Sequence, residues 1–214
     1  MSTAVATQRK PFVGELLGRS DYAIIGEIVE PNTMVLDLGC GEGELLEWLA
    51  ENKGVDARGV EMSGAKVQRA IARGVSVYQG DIDEGLADYP DQAFDYVILS
   101  QTLQETRAPV KVLREMLRVG RRAIVAFPNF GHWSVRMSML FTGKAPKTRL
   151  FPHEWYDSPN IHVLSVDDFE SLAAREHLTV ERRYCLAGHR RIAMLQNLRA
   201  EVAVFLVRKG LPAT

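Results

Sequence analysis

At 214 residues with 46% hydrophobic side chains, the chain can bury one full α/β core and is too short to demand a second domain. A net charge of −1 and a pI near 6.5 give no broad basic field, which argues against sequence-independent nucleic-acid binding, and the apolar runs are strand-sized, which argues against a membrane span. The opening MSTAVATQRK lacks the apolar core of a secretory signal, and Cys40 and Cys185 have no CxxC partner, so a cytoplasmic protein without a structural disulfide or zinc site is expected.

The first dozen residues are polar or small and read as a mobile tail; residues 1–19 are expected to form a flexible segment before a single domain over 20–214. From Tyr22, the spacing of Ile24, Ile25, Ile28 and Val29 predicts a short amphipathic helix closed by Pro31. The stretch MVLDLGCGEG follows, at residues 34–43. Its apolar start with Asp37 reads as a buried parallel strand, and Gly39, Gly41 and Gly43, alternating with Cys40 and Glu42, read as a turn whose backbone can approach a ligand closely. Leu45, Trp48 and Leu49 then lie on one helix face. A dinucleotide fingerprint would place its third glycine at position 44, which is Glu44, and acids at the helix start repel pyrophosphate. No Lys-Ser or Lys-Thr follows the glycines, so a P-loop is excluded. The GxGxG order resembles motif I of the class I S-adenosylmethionine-dependent methyltransferases, whose cationic ligand suits acidic surroundings.

Residues 57–60 predict a second strand ending at Glu61, where a carboxylate can accept from a ribose diol or, more plainly, favour the start of the next helix. Met62 follows it. Residues 75–79 predict a third strand with Asp81 and Ile82 just beyond, resembling the pair that holds adenine in these methyltransferases, although Asp81 also suits a simple turn. Residues 94–99 predict a fourth strand that delivers Ser100 and Gln101 to the ligand edge of the sheet. Residues 109–119 read as a helix with Val110, Leu113 and Leu117 buried, and 122–127 as strand five.

Residues 128–164 are rich in aromatics, prolines and histidines without sustained periodicity, and are expected to form a cap insertion over the ligand pocket. Order returns with a capping box at Ser165 and Asp168, a helix to about His177, and two last strands over 180–186 and 201–207 joined by the basic loop GHRRIAMLQNLR. The expected fold is α/β: a doubly wound, seven-stranded, mostly parallel sheet of Rossmann-like, class I methyltransferase type, with an antiparallel last strand.

Together, DLGCGEG, SQTLQ, PNFGHW and WYDSPNIH resemble the methionine biosynthesis protein MetW family, a similarity that runs over about residues 19–209. The resemblance implies a class I methyltransferase-like protein of methionine biosynthesis that acts with the homoserine O-acyltransferase MetX. With motif I, it implies that S-adenosylmethionine or S-adenosylhomocysteine sits against Asp37, Gly39, Cys40, Gly41, Gly43, Glu61, Met62, Asp81, Ile82 and Ser100. A methyl transfer needs alignment and, for a protonated nucleophile, a base. Gln101, Asn129, His132, Trp133, Tyr156, Asn160 and His162 are the candidates for substrate or partner contact, and no catalytic dyad stands out. No HExxH or zinc spacing occurs, so no metal is expected. The alternative to a partner role is methyl transfer to a small molecule. An RNA substrate is disfavoured, because the only basic clusters are Arg121 with Arg122, Arg182 with Arg183, and His189 to Arg191.

Overall fold

The structure, a computed structural model, describes residues 18–210. The expected tail therefore lies outside the described residues, apart from Gly18 and Arg19. Arg19 is the N-cap residue of α1 (Ser20–Ile28) and is ion-paired to Asp21.

Eight strands form one sheet: β1 (Met34–Leu38), β2 (Asp56–Glu61), β3 (Ser76–Gln79), β4 (Phe94–Ser100), β5 (Gly120–Pro128), β6 (Leu178–Ala187), β7 (Arg190–Arg191) and β8 (Val202–Lys209). Their order is β3-β2-β1-β4-β5-β8-β6-β7. The five strands from β3 to β5 run parallel, whereas β8 is antiparallel to both β5 and β6. The expected count of seven is corrected to eight by β7, a two-residue strand paired to the end of β6, too short to carry an alternating pattern.

Helices cover both faces, as parallel strands with near-continuous apolar sequence require. On one face α1 and α2 (Glu44–Lys53) pack Ile25, Leu45 and Leu49 against Val35, Tyr96 and Ile98. On the other, α4 (Pro109–Val119) and α6 (Val166–Arg175) pack Leu113, Leu117 and Phe169 against Leu36, Val97 and Phe127. The buried face of α4 is Val112, Leu113, Met116 and Leu117; Val110, expected there, sits in the first turn at an angle that leaves it half-buried. α3 (Gly64–Ala72) covers β2 and β3.

The capping box of α6 is present: the Ser165 hydroxyl accepts from the Asp168 N–H, and Asp168 accepts from the Ser165 N–H. Residues 128–164, expected to lack regular structure, contain α5 (Trp133–Thr142). Among the described residues, no helix is long and apolar enough to cross a membrane.

Candidate functional site

β1, β2, β3 and β4 all end at one edge of the sheet, where open α/β folds bind ligands. A crevice of about 540 Å³ lies there, within the usual range of roughly 300–1,000 Å³ for small-molecule sites. Gly39, Glu61, Met62, Asp81 and Ile82 line it. A concavity of about 480 Å³ between Leu113, Arg118, His177 and Lys209 lies at the opposite edge, where the parallel strands begin, so the fold gives it no comparable role.

The glycines of the turn have different jobs. A Cβ on Gly39 would lie 2.9 Å from Thr102 Oγ1, and one on Gly43 would lie 3.0 Å from the Ala70 Cβ of α3, so both positions are fixed by close packing. A Cβ on Gly41 would meet nothing within 4 Å; with φ +61 the residue still favours glycine, but its open side leaves backbone bare to an approaching ligand. Cys40 points inward, and a Cβ on Gly59 would fall 2.4 Å from its Sγ. Burial pushes its thiol pKa upward, and its backbone is spent within the fold, the N–H donating to Val60 O and the carbonyl accepting from the Gly43 N–H.

Glu61 ties this turn to the next helix. Its Oε2 accepts from the Gly41 N–H at 3.0 Å and its Oε1 from the Ser63 N–H at 2.8 Å, with the side chain 7% exposed. Each carboxylate oxygen keeps a second lone pair.

Asp37 is 3% exposed and its Oδ1 has no hydrogen-bond partner among the described residues. Burial pushes its carboxyl from 3.8 up to about 8; Arg19 opposes the rise, while Asp21 and Glu61 add to it. Asp37 pairs in register with Ile98 and so faces α1, as Ser100 does, and it is not among the residues that line the crevice.

Asp81 accepts from the Asp83 N–H at 2.9 Å and from the Arg107 guanidinium, and Arg107 also grips Asp83. Burial works to raise the Asp83 carboxyl, but the N–H groups of Arg107 and Ala108 and the Arg107 side chain outweigh it and hold it below its usual range. Ser100, expected in the crevice, turns to the α1 face: its hydroxyl donates to Asp21 and accepts from Arg19 Nη2 at 3.0 Å. The reason is strand alternation, which puts Ser100 on the same side as Tyr96 and Ile98. Gln101 has a left-handed backbone, φ +58, and donates its N–H to Ala126 O at 2.8 Å. That bend brings the chain back over the glycine turn and sets Thr102 against Gly39.

The remaining candidates divide. Asn129 is fully buried and spends its whole amide on structure: Nδ2 donates to Asn197 O and Ala200 O, each at 2.8 Å, and Oδ1 accepts from Gly131 N–H and Val166 N–H. It is a brace with no group left for a substrate. His132 caps α5, its Nδ1 2.8 Å from Ser134 Oγ, and burial pushes its pKa down. His132 and Trp133 border a separate groove beside β7 and the 188–199 loop. Tyr156 is exposed, in edge contact with Trp155, and the Asn160 N–H donates to Ser158 Oγ. His162 and Ile161 both donate their N–H groups to Gln104 O, which docks this one point of the long segment at the crevice mouth, where Ile161 joins the lining.

Sequence reasoning missed Thr102, Lys66, Glu105 and Arg107 of the lining. Lys66, three residues after Ser63, could have been placed on the crevice side of α3 by helical spacing. Arg107 carries no local signal, since its carboxylates lie 24 and 26 residues earlier.

A parallel sheet closed by an antiparallel strand, with a glycine turn after β1 and carboxylates at successive strand ends, is the fold of the class I S-adenosylmethionine-dependent methyltransferases. Solved structures agree: an S-adenosylmethionine-dependent methyltransferase of Mesorhizobium loti superposes with a TM-score of 0.67, at 16% identity, covering 91% of this chain and 100% of that one. One of Thermotoga maritima gives 0.64, at 18% identity, covering 92% and 91%. Within this class the chain belongs to the methionine biosynthesis protein MetW family, whose pattern matches residues 19–207. It is 34% identical over 170 residues to the bifunctional methionine biosynthesis protein MetXA/MetW of Rhodopirellula baltica, an alignment covering 75% of this chain and 27% of that relative. The chain thus spans about a quarter of that relative's length.

Proposed function

We propose that this protein binds S-adenosylmethionine or S-adenosylhomocysteine in the crevice and acts in methionine biosynthesis by associating with a homoserine O-acyltransferase. The observation that carries the ligand reading is the crevice itself, in which Gly39 of the glycine turn meets Glu61, Asp81 and Ile82 from the next two strand ends; Asp37, buried with an orphaned oxygen behind the turn, does not line it. Both candidate ligands carry an ammonium group, and S-adenosylmethionine adds a sulfonium, so the acidic surroundings of Glu61 and Asp81 suit them. In this reading Glu61 uses its spare lone pairs for the ribose diol, and Asp81 and Ile82 hold the adenine. When bound, S-adenosylmethionine supplies an electrophilic methyl group. The chain's own residues bind and orient the ligand.

The partner reading is supported by the bifunctional relative, whose name joins MetXA and MetW in one polypeptide. Calorimetry with each ligand tests the site; no heat and no thermal shift with either would overturn it. Co-expression with the acyltransferase followed by affinity capture, and acyl transfer to homoserine measured with and without this protein, test the association. If neither complex nor rate change is found, and a labelled methyl group reaches a metabolite only when this protein is present, small-molecule methyl transfer takes its place.

A further inference from the structure

α5 is an amphipathic helix turned outward. Of its ten residues only Val135 is buried. Trp133, Met137, Leu140 and Phe141 fall at i, i+4, i+7 and i+8, one continuous stripe, and Leu140 and Phe141 are 69% and 80% exposed. A stripe of that spacing normally faces a core. Here it continues from the mouth of the groove beside β7, where Trp133 stands near Met194, itself 73% exposed.

The charge around this apolar face is basic on balance, although Glu201 lines the groove. Residues 128–153 carry Arg136, Lys144, Lys147 and Arg149 and no Asp or Glu; residues 188–200 carry Arg190, Arg191 and Arg199 and no acid. Glu154, Glu201 and Glu27 pair with Lys147, Arg149 and Arg191. Lys144, Arg190 and Arg199 form no ion pair among the described residues, and the last two border the groove.

We propose that the outer stripe of α5 and the adjoining groove of about 600 Å³ form a docking surface for a protein partner that presents an apolar protrusion rimmed by carboxylates. Taken with the functional reading above, on which this step rests, that partner is the acyltransferase. The basic balance of the rim calls for carboxylates on the partner. A two-fold pairing of this face with itself would set arginines against arginines, which disfavours a second copy. The concave part of the surface accepts a protrusion, which a flat bilayer does not offer, while exposed Trp, Met and Arg are the residue types that anchor protein interfaces. The surface is separate from the crevice, since only residues 161–162 of the long segment dock there.

The test uses the full chain with Leu140→Asp together with Phe141→Asp, and separately Arg190→Glu together with Arg199→Glu. All four side chains are solvent-exposed or border the groove without an ion pair, so circular dichroism melting should match the wild type. Capture of the purified acyltransferase should weaken by about tenfold or more in each double variant. If the wild type captures the acyltransferase and both variants capture it equally well, the docking surface is wrong and the functional reading stands. Should the wild type capture none, the functional reading itself fails, and this assignment with it. Flotation with phosphatidylglycerol–phosphatidylcholine vesicles forms the other arm; binding by wild type that both variants lose, with capture unaffected, would reassign the face to an anionic membrane.

Discussion

At the scale of single residues, the pH response rests on Asp37. Its folded carboxyl keeps the proton up to about pH 8, whereas an ordinary carboxyl at 3.8 has lost it, so the folded state binds more protons between those values. Stability of the ligand-free protein should therefore fall as pH rises from about 4 to 8, and Asp37→Asn should flatten that fall in urea titrations. The glycines give a paired contrast. Gly41→Ala meets no neighbour and should cost only the left-handed backbone strain, about 1–2 kcal/mol, while sharply weakening ligand binding. Gly43→Ala combines the same strain, at φ +82, with the Ala70 contact and should cost more stability, roughly 2–4 kcal/mol by thermal melting. Glu61→Gln replaces a charged acceptor of two backbone N–H groups and should loosen the turn as well as the ligand.

Elements differ in how much of themselves they reveal in sequence. β1, β4 and β5 were legible because strands buried on both faces must be nearly all apolar, and α6 because Ser165 and Asp168 spell out its first turn. Ser165→Ala should cost about 1 kcal/mol in chemical denaturation. α5 was not legible as a helix: its stripe faces water, it follows Pro128 and precedes Pro146 and Pro152, and nothing in the sequence says on which side the core lies. Strand-end glycines and carboxylates could be placed from their spacing, whereas the turning of Ser100 toward Asp21 joins residues 79 apart and the docking of Ile161 on Gln104 joins residues 57 apart. Those contacts belong to the tertiary fold. The expectation that 128–164 caps the pocket narrows accordingly. Hydrogen exchange on ligand addition should slow at Ile161 and His162 and stay unchanged through α5; slowing along the whole segment would restore the wider cap.

On the scale of the whole molecule, the proposed ligand and partner surfaces are separate, and any coupling between them must be reciprocal. If the ligand tightens acyltransferase binding, the acyltransferase must tighten ligand binding by the same factor; calorimetry on the free protein and on the complex measures both sides, and equal affinities would exclude a regulatory link. The net basic rim predicts that the association rate drops as salt rises, with a smaller change in dissociation, as stopped-flow fluorescence of Trp133 and Trp155 can record. The order β5-β8-β6 has a consequence for how the protein is made. β6 bonds to the main sheet only through β8, along eight residue pairs, and β8 emerges later in synthesis. Until then the nascent chain holds a parallel half-sheet with β5 as an open edge and β6 paired only at its end by the two-residue β7, two templates for wrong pairing with a neighbouring chain. Vectorial translation thus leaves closure to a single late insertion, and a ribosome stalled after β6 should carry a chain far more prone to aggregation, and more easily cleaved by protease, than one stalled with β8 fully exposed beyond the exit tunnel.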